Sequence, residues 1–274
     1  MKTWFITGVS SGLGLAMAEA ALNKGYRVVG TLRTEEQRAA FSGSHPNAVG
    51  VLLDVTDHDS VKRVVASIER DVGAIDILVN NAGYGYEGTI EEATMEDIRS
   101  QFEVNVFGTF AVTQAVLPLM RQRRSGHILT VTSIGGIVTF PGVGIYNSSK
   151  FALEGFSEAL SKEVADFGIR VTAIEPGMFR TDWAGRSMTR GESKLTDYDA
   201  LFAPIRQARL ERNGKQQGDP RKAAVAIIAA VEAEKAPVHL LLGSDALSFA
   251  RTKLAGLKEE FDGWAAVTSS TNFE

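Results

Sequence analysis

Short apolar runs rich in β-branched residues alternate with longer stretches of helical periodicity along most of this chain. The runs are TWFI, RVVGT, AVGVLL, DILV, HILTVT, RVTAIE and VHLLL, and they start at residues 3, 27, 48, 76, 127, 170 and 238. Strands separated by crossover helices pair in parallel within one sheet. The pattern therefore predicts an α/β fold built on a doubly wound, seven-stranded parallel sheet.

The connecting segments are of two kinds. Residues 96–123, 144–167 and 219–235 have helical periodicity and are predicted to be long helices. Residues 178–218 lack it, and a connection of that length is typical of a lid or binding loop. The final stretch, WAAVTSSTNFE, is polar enough to be loosely held. We expect one domain over residues 1–274, with a substrate lid at about 178–218.

Composition excludes several classes of partner. The 274 residues are 44% hydrophobic, enough for one large core, and the net charge of -4 leaves no basic stripe for a nucleic acid. The absence of cysteine excludes disulfides and thiolate metal sites. The first strand begins too early for a secretory signal, and the longest apolar runs fall short of the roughly 20 residues of a membrane helix. We expect a soluble, cytoplasmic protein.

A glycine-rich turn follows the first predicted strand. In TWFITGVSSGLGLAMAEAAL, Gly8, Gly12 and Gly14 have G-x3-G-x-G spacing at the start of a helix. Glycines allow a tight turn and a close approach of backbone N–H groups to a pyrophosphate, which the helix N-terminus also attracts. Glycines alone could serve only the turn and its packing. Their position after the first strand of an α/β chain favours a dinucleotide site.

The end of the second strand bears on the choice of dinucleotide. Thr31, Leu32 and Arg33 stand where an acidic residue would bind the ribose 2′-hydroxyl of NAD, whereas an arginine can bind the 2′-phosphate of NADP. Arg38 is also near. The alternative is that these arginines serve only solubility at a helix start. We expect NADP(H), with NAD(H) as the alternative.

A tyrosine and a lysine stand four residues apart in GIYNSSKFALEG. Tyr146 and Lys150 lie on one face of the predicted helix, because four residues make about one turn. A nearby ammonium favours the phenolate, as would the positive charge of an oxidised nicotinamide ring, and one or two such cations are expected to lower the phenol pKa from about 10 towards neutrality. A solvated tyrosine and a snorkelling lysine are the ordinary alternative. Ser133, at the end of an upstream strand, could hold a substrate oxygen opposite Tyr146, which favours an acid/base site.

Seven motifs occur in an order that resembles the short-chain dehydrogenase/reductase family, over residues 1 to about 245. They are TGVSSGLG at 7–14, DV at 54–55, NNAG at 80–83, VNVFG at 104–108, Ser133, YNSSK at 146–150 and EPGMFRT at 175–181. The resemblance implies a Rossmann-like sheet and hydride transfer between NADP(H) and a carbonyl or secondary alcohol.

The resemblance also implies roles for individual residues. Tyr146 would be the proton donor or acceptor, Lys150 would lower its pKa and hold the nicotinamide ribose, Ser133 would position the substrate oxygen, and Asn105 would keep a water in a proton relay. Asp54 would contact the adenine, Asn81 and Gly83 the adjoining ribose, and Thr181 the carboxamide, although Asn80 and Asn81 could instead satisfy nearby backbone groups. The implied cofactor residues are Gly8, Ser10, Ser11, Gly12, Leu13, Gly14, Arg33, Asp54, Val55, Asn81, Ala82, Gly83, Tyr146, Lys150, Pro176, Gly177 and Thr181.

Other polar and aromatic residues give weaker signals. The four histidines lack ligand spacing, which predicts no metal site. Apolar residues of the 178–218 segment either line a substrate pocket or pack the lid: Met178, Phe179, Trp183, Met188, Tyr198, Leu201 and Phe202. Four arginines there either attract an anionic substrate or form a solvated face: Arg180, Arg186, Arg190 and Arg206. Surplus apolar residues on helices 96–123 and 144–167 suggest a homodimer or homotetramer.

Two other functions remain possible at this stage. A regulator that senses NADP(H) without turnover would be expected to lack the serine, tyrosine or lysine, and all three are present. A methyltransferase shares a glycine turn but has no need of Y-x-x-x-K. The sequence does not identify the substrate.

Overall fold

The computed structural model describes residues 1–185 and 187–273. Within them, the large sheet comprises β1 (Thr3–Ile6), β2 (Arg27–Leu32), β3 (Ala48–Leu52), β4 (Ile75–Asn80), β6 (Gly126–Val131), β7 (Ile169–Pro176) and β9 (His239–Leu242). Two further strands, β5 (Gly85–Glu87) and β8 (Met188–Arg190), pair with each other. The large sheet is parallel throughout, in the order β3-β2-β1-β4-β6-β7-β9. The predicted seven-stranded, doubly wound sheet is confirmed.

Helices cover both faces of the sheet. They are α1 (Gly12–Asn23), α2 (Glu35–Ser44), α3 (His58–Ser67), α4 (Met95–Phe102), α5 (Gly108–Arg123), α6 (Gly144–Val164), α7 (Asp199–Arg212), α8 (Pro220–Glu232) and α9 (Ser244–Ser269). Successive side chains of β1 point to opposite faces of the sheet. Trp4 and Ile6 pack in the apolar cluster that contains α1 and α8. Phe5 joins the cluster of α3, α5 and α6 on the other face. Burial on both faces explains why the strands read as continuous apolar runs.

The stretch 96–123, expected to be one helix, contains an irregular turn. Helices α4 and α5 are joined by a π-helical turn, Glu103–Phe107. A π turn inserts one extra residue and rotates the side chains that follow it, and such turns are frequent at functional sites. This turn carries Asn105.

By length and composition alone, the continuous helical stretch Met95–Arg123 could cross a membrane, contrary to the expectation from its apolar runs. Buried core helices pass the same test. Val112, Val116 and Met120 are completely buried against the sheet. The composition of this stretch is therefore weak evidence for a membrane span.

The segment 178–218 has more structure than its weak periodicity indicated. It contains β8 and α7. Helix α7 was not predicted from the sequence because it includes Pro204 and has no fully buried residue. The buried carboxylate of Glu87 in β5 holds this segment, through Arg206 Nε at 3.2 Å and Arg209 Nη1 at 3.4 Å. Arg190 Nε lies 4.0 Å from the same carboxylate, and Arg186 lies outside the described residues.

The C-terminal end is helical where a loosely held tail was expected. Residues 264–269 belong to α9, which is 26 residues long. Ala246 and Ala250 in its first turns are buried against Ile134. Residues 264–273 are all exposed, so the expectation that this stretch is loosely held stays a prediction.

Candidate active site

The glycine turn between β1 and α1 has a backbone that requires glycine. Gly8 and Gly12 have φ values of +73° and +61°, in the left-handed region. A Cβ on Gly14 would stand 2.2 Å from the Gly8 carbonyl oxygen, so no side chain fits there. Asn81 Nδ2 donates to the Thr7 and Gly8 carbonyl oxygens, each at 2.8 Å. Asn81 thus supports the turn, which is the structural role weighed for it from the sequence.

The turn opens onto the N-terminus of α1. In the described structure, Ser11 at the N-cap makes no side-chain capping bond, and no acidic residue stands in the first turn. The N–H groups of that turn are therefore available to an anion, which the helix dipole also favours. This geometry fits a dinucleotide pyrophosphate.

A cleft of about 1000 Å³ runs along the carboxyl edge of the sheet, past the turn. Its wall comes from residues that directly follow parallel strands, including Gly8, Arg33, Asp54, Asn81 and Gly177. Ligands bind at this edge in open α/β sheets. All of the cofactor residues assigned from the sequence line the cleft: Gly8, Ser10, Ser11, Gly12, Leu13, Gly14, Arg33, Asp54, Val55, Asn81, Ala82, Gly83, Tyr146, Lys150, Pro176, Gly177 and Thr181. The cleft has the size and donor groups that NAD(P) requires.

The two arginines near the second strand differ in their surroundings. Arg33 is exposed and lines the cleft, and its guanidinium forms no ion pair within the described part of the chain. Arg38 is outside the cleft lining and pairs with Glu35 at 2.5 Å. Asp54, which follows β3 and also lines the cleft, accepts hydrogen bonds at Oδ1 from the Thr56 N–H and hydroxyl. Arg33 is thus the arginine placed to meet a phosphate here.

Tyr146 and Lys150 share one face of α6 and are both buried. Lys150 Nζ lies 5.7 Å from the Tyr146 ring centroid and donates to the Val131 carbonyl oxygen at 2.9 Å. Burial raises the pKa of Tyr146 to about 12, and a hydrogen bond with Ser133 opposes this rise. Burial also lowers the pKa of Lys150 to about 8, and the charge on Glu154 opposes that fall. The pKa of the Tyr146 phenol is therefore raised where the sequence led us to expect it lowered, because burial disfavours the phenolate.

Ser133 stands beside Tyr146 on the same wall of the cleft. It follows β6 and caps the short turn Ile134–Gly136, with its Oγ accepting from the Gly135 N–H at 2.9 Å. The Trp183 ring packs against the Tyr146 ring with centroids 5.1 Å apart. The structure thus brings two hydroxyls, an amine and an aromatic cover together, which is an arrangement able to bind a carbonyl oxygen and give it a proton.

Asn105 does not line the cleft, although its role from the resemblance was to keep a relay water. Its Oδ1 accepts from the Tyr84 N–H, and its Nδ2 donates to the Tyr84 carbonyl oxygen, each at 3.0 Å, and to Ser149 Oγ at 3.1 Å. Both ends of the side chain therefore tie the Tyr84 loop to α6. The Asn105 backbone carbonyl oxygen also accepts a hydrogen bond, from Thr109 Oγ1 at 2.9 Å.

The 178–218 segment lines part of the cleft with both apolar and charged side chains. Met178, Phe179, Trp183 and Met188 line it, whereas Tyr198, Leu201 and Phe202 do not. Arg190, Arg209 and Arg212 line it as well. The structure adds lining residues that the sequence did not point to: Tyr84, Phe140, Val143, Ile205 and Phe249. Phe249 comes from α9, so no local pattern could have revealed it.

A buried acid pair behind the site was also missed. Glu154 lies one helical turn beyond Lys150, and His239 Nδ1 lies 3.5 Å from Glu154 Oε2 and 2.7 Å from Glu175 Oε1. Burial and the neighbouring Glu175 raise the pKa of Glu154 to about 7. These three side chains could hold a metal ion by their spacing. The sequence reading of no metal site stays a prediction.

Comparison with known proteins places this geometry in a family. The model of the short chain dehydrogenase family matches residues 2–190. Oxidoreductase BOA17 of Botryotinia fuckeliana is 40% identical over 265 residues, which cover 96% of each chain. The NADPH-dependent 3-dehydrocapnine reductase of Ornithobacterium rhinotracheale is 37% identical over 216 residues, which cover 76% of each chain.

Solved structures agree. A short-chain dehydrogenase from Streptomyces avermitilis superposes with a TM-score of 0.92 at 40% identity, covering 99% of this chain and 98% of that one. Other structures of the same fold hold NAD in one case and NADP in another, so the fold leaves the choice of cofactor open. With the glycine turn, the cleft and the tyrosine–lysine helix in place, this chain belongs to the short-chain dehydrogenase/reductase family of NAD(P)-dependent oxidoreductases.

Proposed function

We propose that the protein reduces the carbonyl group of a small molecule with NADPH, and that Tyr146 donates the proton. The observation that carries the proposal is the buried Tyr146 hydroxyl beside Ser133, with a pKa raised to about 12. A phenol with that pKa is protonated at neutral pH, which is the state needed to protonate an alkoxide. Oxidation of a secondary alcohol is the reverse of the same reaction.

Ser133, Tyr146 and Lys150 each have a role in the proposed reaction. When bound, NADPH supplies a hydride to the carbonyl carbon. The Ser133 and Tyr146 hydroxyls donate hydrogen bonds to the carbonyl oxygen and stabilise the negative charge that develops on it. Tyr146 then gives up its proton, and the Lys150 ammonium stabilises the phenolate that is left. The Val131 carbonyl holds Lys150 in place for this.

NADP(H) is the proposed cofactor, with NAD(H) as the alternative. The support is Arg33, which lines the cleft at the end of β2 and forms no ion pair among the described residues, so that it could bind a 2′-phosphate. A relative with 37% identity is named as NADPH-dependent, which agrees with this choice.

The substrate is proposed to be a ketone with an apolar body. Met178, Phe179, Trp183 and Met188 present apolar surface at the substrate end of the cleft. A relative that is 37% identical over 244 residues is named a 3-ketodihydrosphingosine reductase, which supports a keto substrate. A cytoplasmic location and a homo-oligomeric state stay predictions.

A non-catalytic NADP(H) sensor of the same fold is the alternative function. One substitution separates the two. Tyr146→Phe is expected to lose most NADPH oxidation with a panel of carbonyl compounds while keeping its NADPH affinity, followed by fluorescence titration. Tyr84→Phe is the matched control, because Tyr84 lines the same cleft without being placed beside Ser133, and it should keep its turnover. Turnover of Tyr146→Phe within a few fold of wild type, or no turnover in wild type with any carbonyl, would contradict the proposal.

A further inference from the structure

Helix α7 turns one side towards the cleft. Ile205, Ala208, Arg209 and Arg212 line the cleft, and they are three or four residues apart, so they lie on the same side of the helix. The residues between them do not line it. This side of α7 therefore presents two apolar side chains followed by two guanidinium groups.

Arg209 is held in place by the body of the protein. Its Nη1 lies 3.4 Å from Glu87 Oε2, and its Nη2 donates to the Pro141 carbonyl oxygen at 2.7 Å. Pro141 lies in the loop that leads into α6, the helix that carries Tyr146. A guanidinium has five N–H donors, so these two contacts leave donors for a ligand in the cleft.

Arg212 makes no such contacts. Its side chain is exposed, lines the cleft, and forms no hydrogen bond or ion pair within residues 1–185 and 187–273. Its charge acts on Arg209, whose pKa is lowered by burial and, to a smaller extent, by this repulsion. Like charges one turn apart destabilise a helix, and an anion between the two guanidiniums would offset that repulsion.

The carboxylates near this side of α7 are too few to neutralise its arginines. Glu87 is almost fully buried and lies within 4.0 Å of Arg190, Arg206 and Arg209. The Glu92 charge also acts on Arg206. Counting the second arginine of the cleft wall, two carboxylates therefore serve four guanidiniums. The basic side chains on the cleft side of α7 thus keep positive charge that a ligand can meet.

These observations point to a ligand with an anionic end. We propose that the substrate carries an oxyanion group, a carboxylate, sulfonate or phosphate, and that Arg209 and Arg212 bind it. The planar guanidinium fork matches such groups well. The cofactor pyrophosphate has its own place at the N-terminus of α1. The inference rests on the proposed carbonyl reduction, and it adds a charged end to the apolar body of the substrate.

The first test compares ketones with and without a charge. The probes are methyl ketones of increasing chain length that end in a carboxylate, and their methyl esters are the neutral partners. At the favoured length, wild type is expected to reduce the acid with about tenfold higher kcat/KM than the ester, mainly through a lower KM. Arg212→Ala should bring acid and ester to within about twofold of each other.

Other substitutions separate charge from general damage to the segment. Arg212→Glu should favour the ester over the acid, because its carboxylate repels the acid. Arg209→Lys keeps the charge but loses the planar fork, so its preference for the acid should be intermediate. Lys215→Ala is the matched control, because Lys215 is an exposed basic residue just after α7 that does not line the cleft. It should keep the wild-type preference.

A binding test separates this inference from the proposed reaction. Octanoate and octanamide, neither of which is a ketone, are titrated calorimetrically into the protein saturated with NADPH. Octanoate is expected to bind about tenfold more tightly, and the difference should shrink at high salt and in Arg212→Ala. If no ketone is reduced while octanoate keeps this preference, the proposed function fails and the anion site stands.

Four outcomes would overturn the anion site. They are equal affinities of wild type for octanoate and octanamide, acids reduced no better than their esters at any chain length, and an unchanged acid preference in Arg212→Ala. The fourth is a tenfold loss of affinity for both NADPH and NADH in Arg212→Ala, which would assign that guanidinium to the cofactor pyrophosphate instead.

Discussion

Replacing Arg33 by alanine tests the choice of cofactor directly. Arg33 is exposed at the end of β2, lines the cleft, and its guanidinium forms no ion pair within residues 1–185 and 187–273. The substitution therefore removes a potential phosphate contact without leaving a partner unpaired. NADH lacks the 2′-phosphate, so its affinity should change little.

The size of the effect follows from the kind of contact. A hydrogen bond to a charged group contributes about 1.5–3 kcal/mol, and each 1.4 kcal/mol is tenfold in affinity. Solvent screens an exposed arginine, which places the expectation at the lower end of that range. The NADPH dissociation constant should rise by about 10-fold in Arg33→Ala, and by less at high salt.

Titration of NADPH and NADH fluorescence gives both dissociation constants for each variant. Arg38→Ala is the matched control, because Arg38 already pairs with Glu35 at 2.5 Å and lies outside the cleft lining. It should leave both constants within about twofold of wild type. The reasoning fails if Arg33→Ala weakens NADH as much as NADPH, or if Arg38→Ala has the larger effect on NADPH.

Three other substitutions test the site and its support. Gly14→Ala should weaken NADPH binding by about tenfold or more, because its Cβ would stand 2.2 Å from a carbonyl oxygen, whereas Gly155→Ala, whose Cβ meets nothing, should not. Glu154 has its pKa raised from 4.5 to about 7, so its burial opposes folding increasingly as pH rises through that window. Glu154→Gln should therefore gain melting temperature over wild type at pH 8 but not at pH 4; an equal gain at both would contradict this. Asn105→Ala leaves the Tyr84 N–H unpaired and should lower the free energy of unfolding in urea by about 1–3 kcal/mol.

The parallel sheet explains why so much of the site was predictable. Residues that follow different parallel strands meet at one edge, so motifs scattered from Gly8 to Thr181 line one cleft once the strands are known. The strands themselves were evident because burial on both faces leaves continuous apolar runs. Seven such runs were placed within one or two residues of the observed strands.

The features that were missed depend on tertiary packing. The π turn at Asn105 has no local signature, since its residues also fit a regular helix. Helix α7 has no fully buried residue, so it shows no apolar periodicity. The Glu154–Glu175–His239 cluster joins three separate elements, α6, β7 and β9, and no spacing along the chain connects them.

Burial reverses the pKa change of Tyr146 that its four-residue separation from Lys150 led us to expect. Counting one nearby ammonium predicts a lowered phenol pKa, but burial disfavours charge on Tyr146 and Lys150 alike, and their pKa values move to about 12 and about 8. Ionising the phenol at pH 7 would then cost about 7 kcal/mol. In the proposed mechanism, reduction needs no such ionisation in advance, because Tyr146 already holds the proton that it would donate. Oxidation would use Tyr146 as the base, and the positive charge of an oxidised nicotinamide would favour the phenolate that this role requires. In the proposed mechanism, desolvation of the pair therefore favours the protonation state of Tyr146 that carbonyl reduction would use.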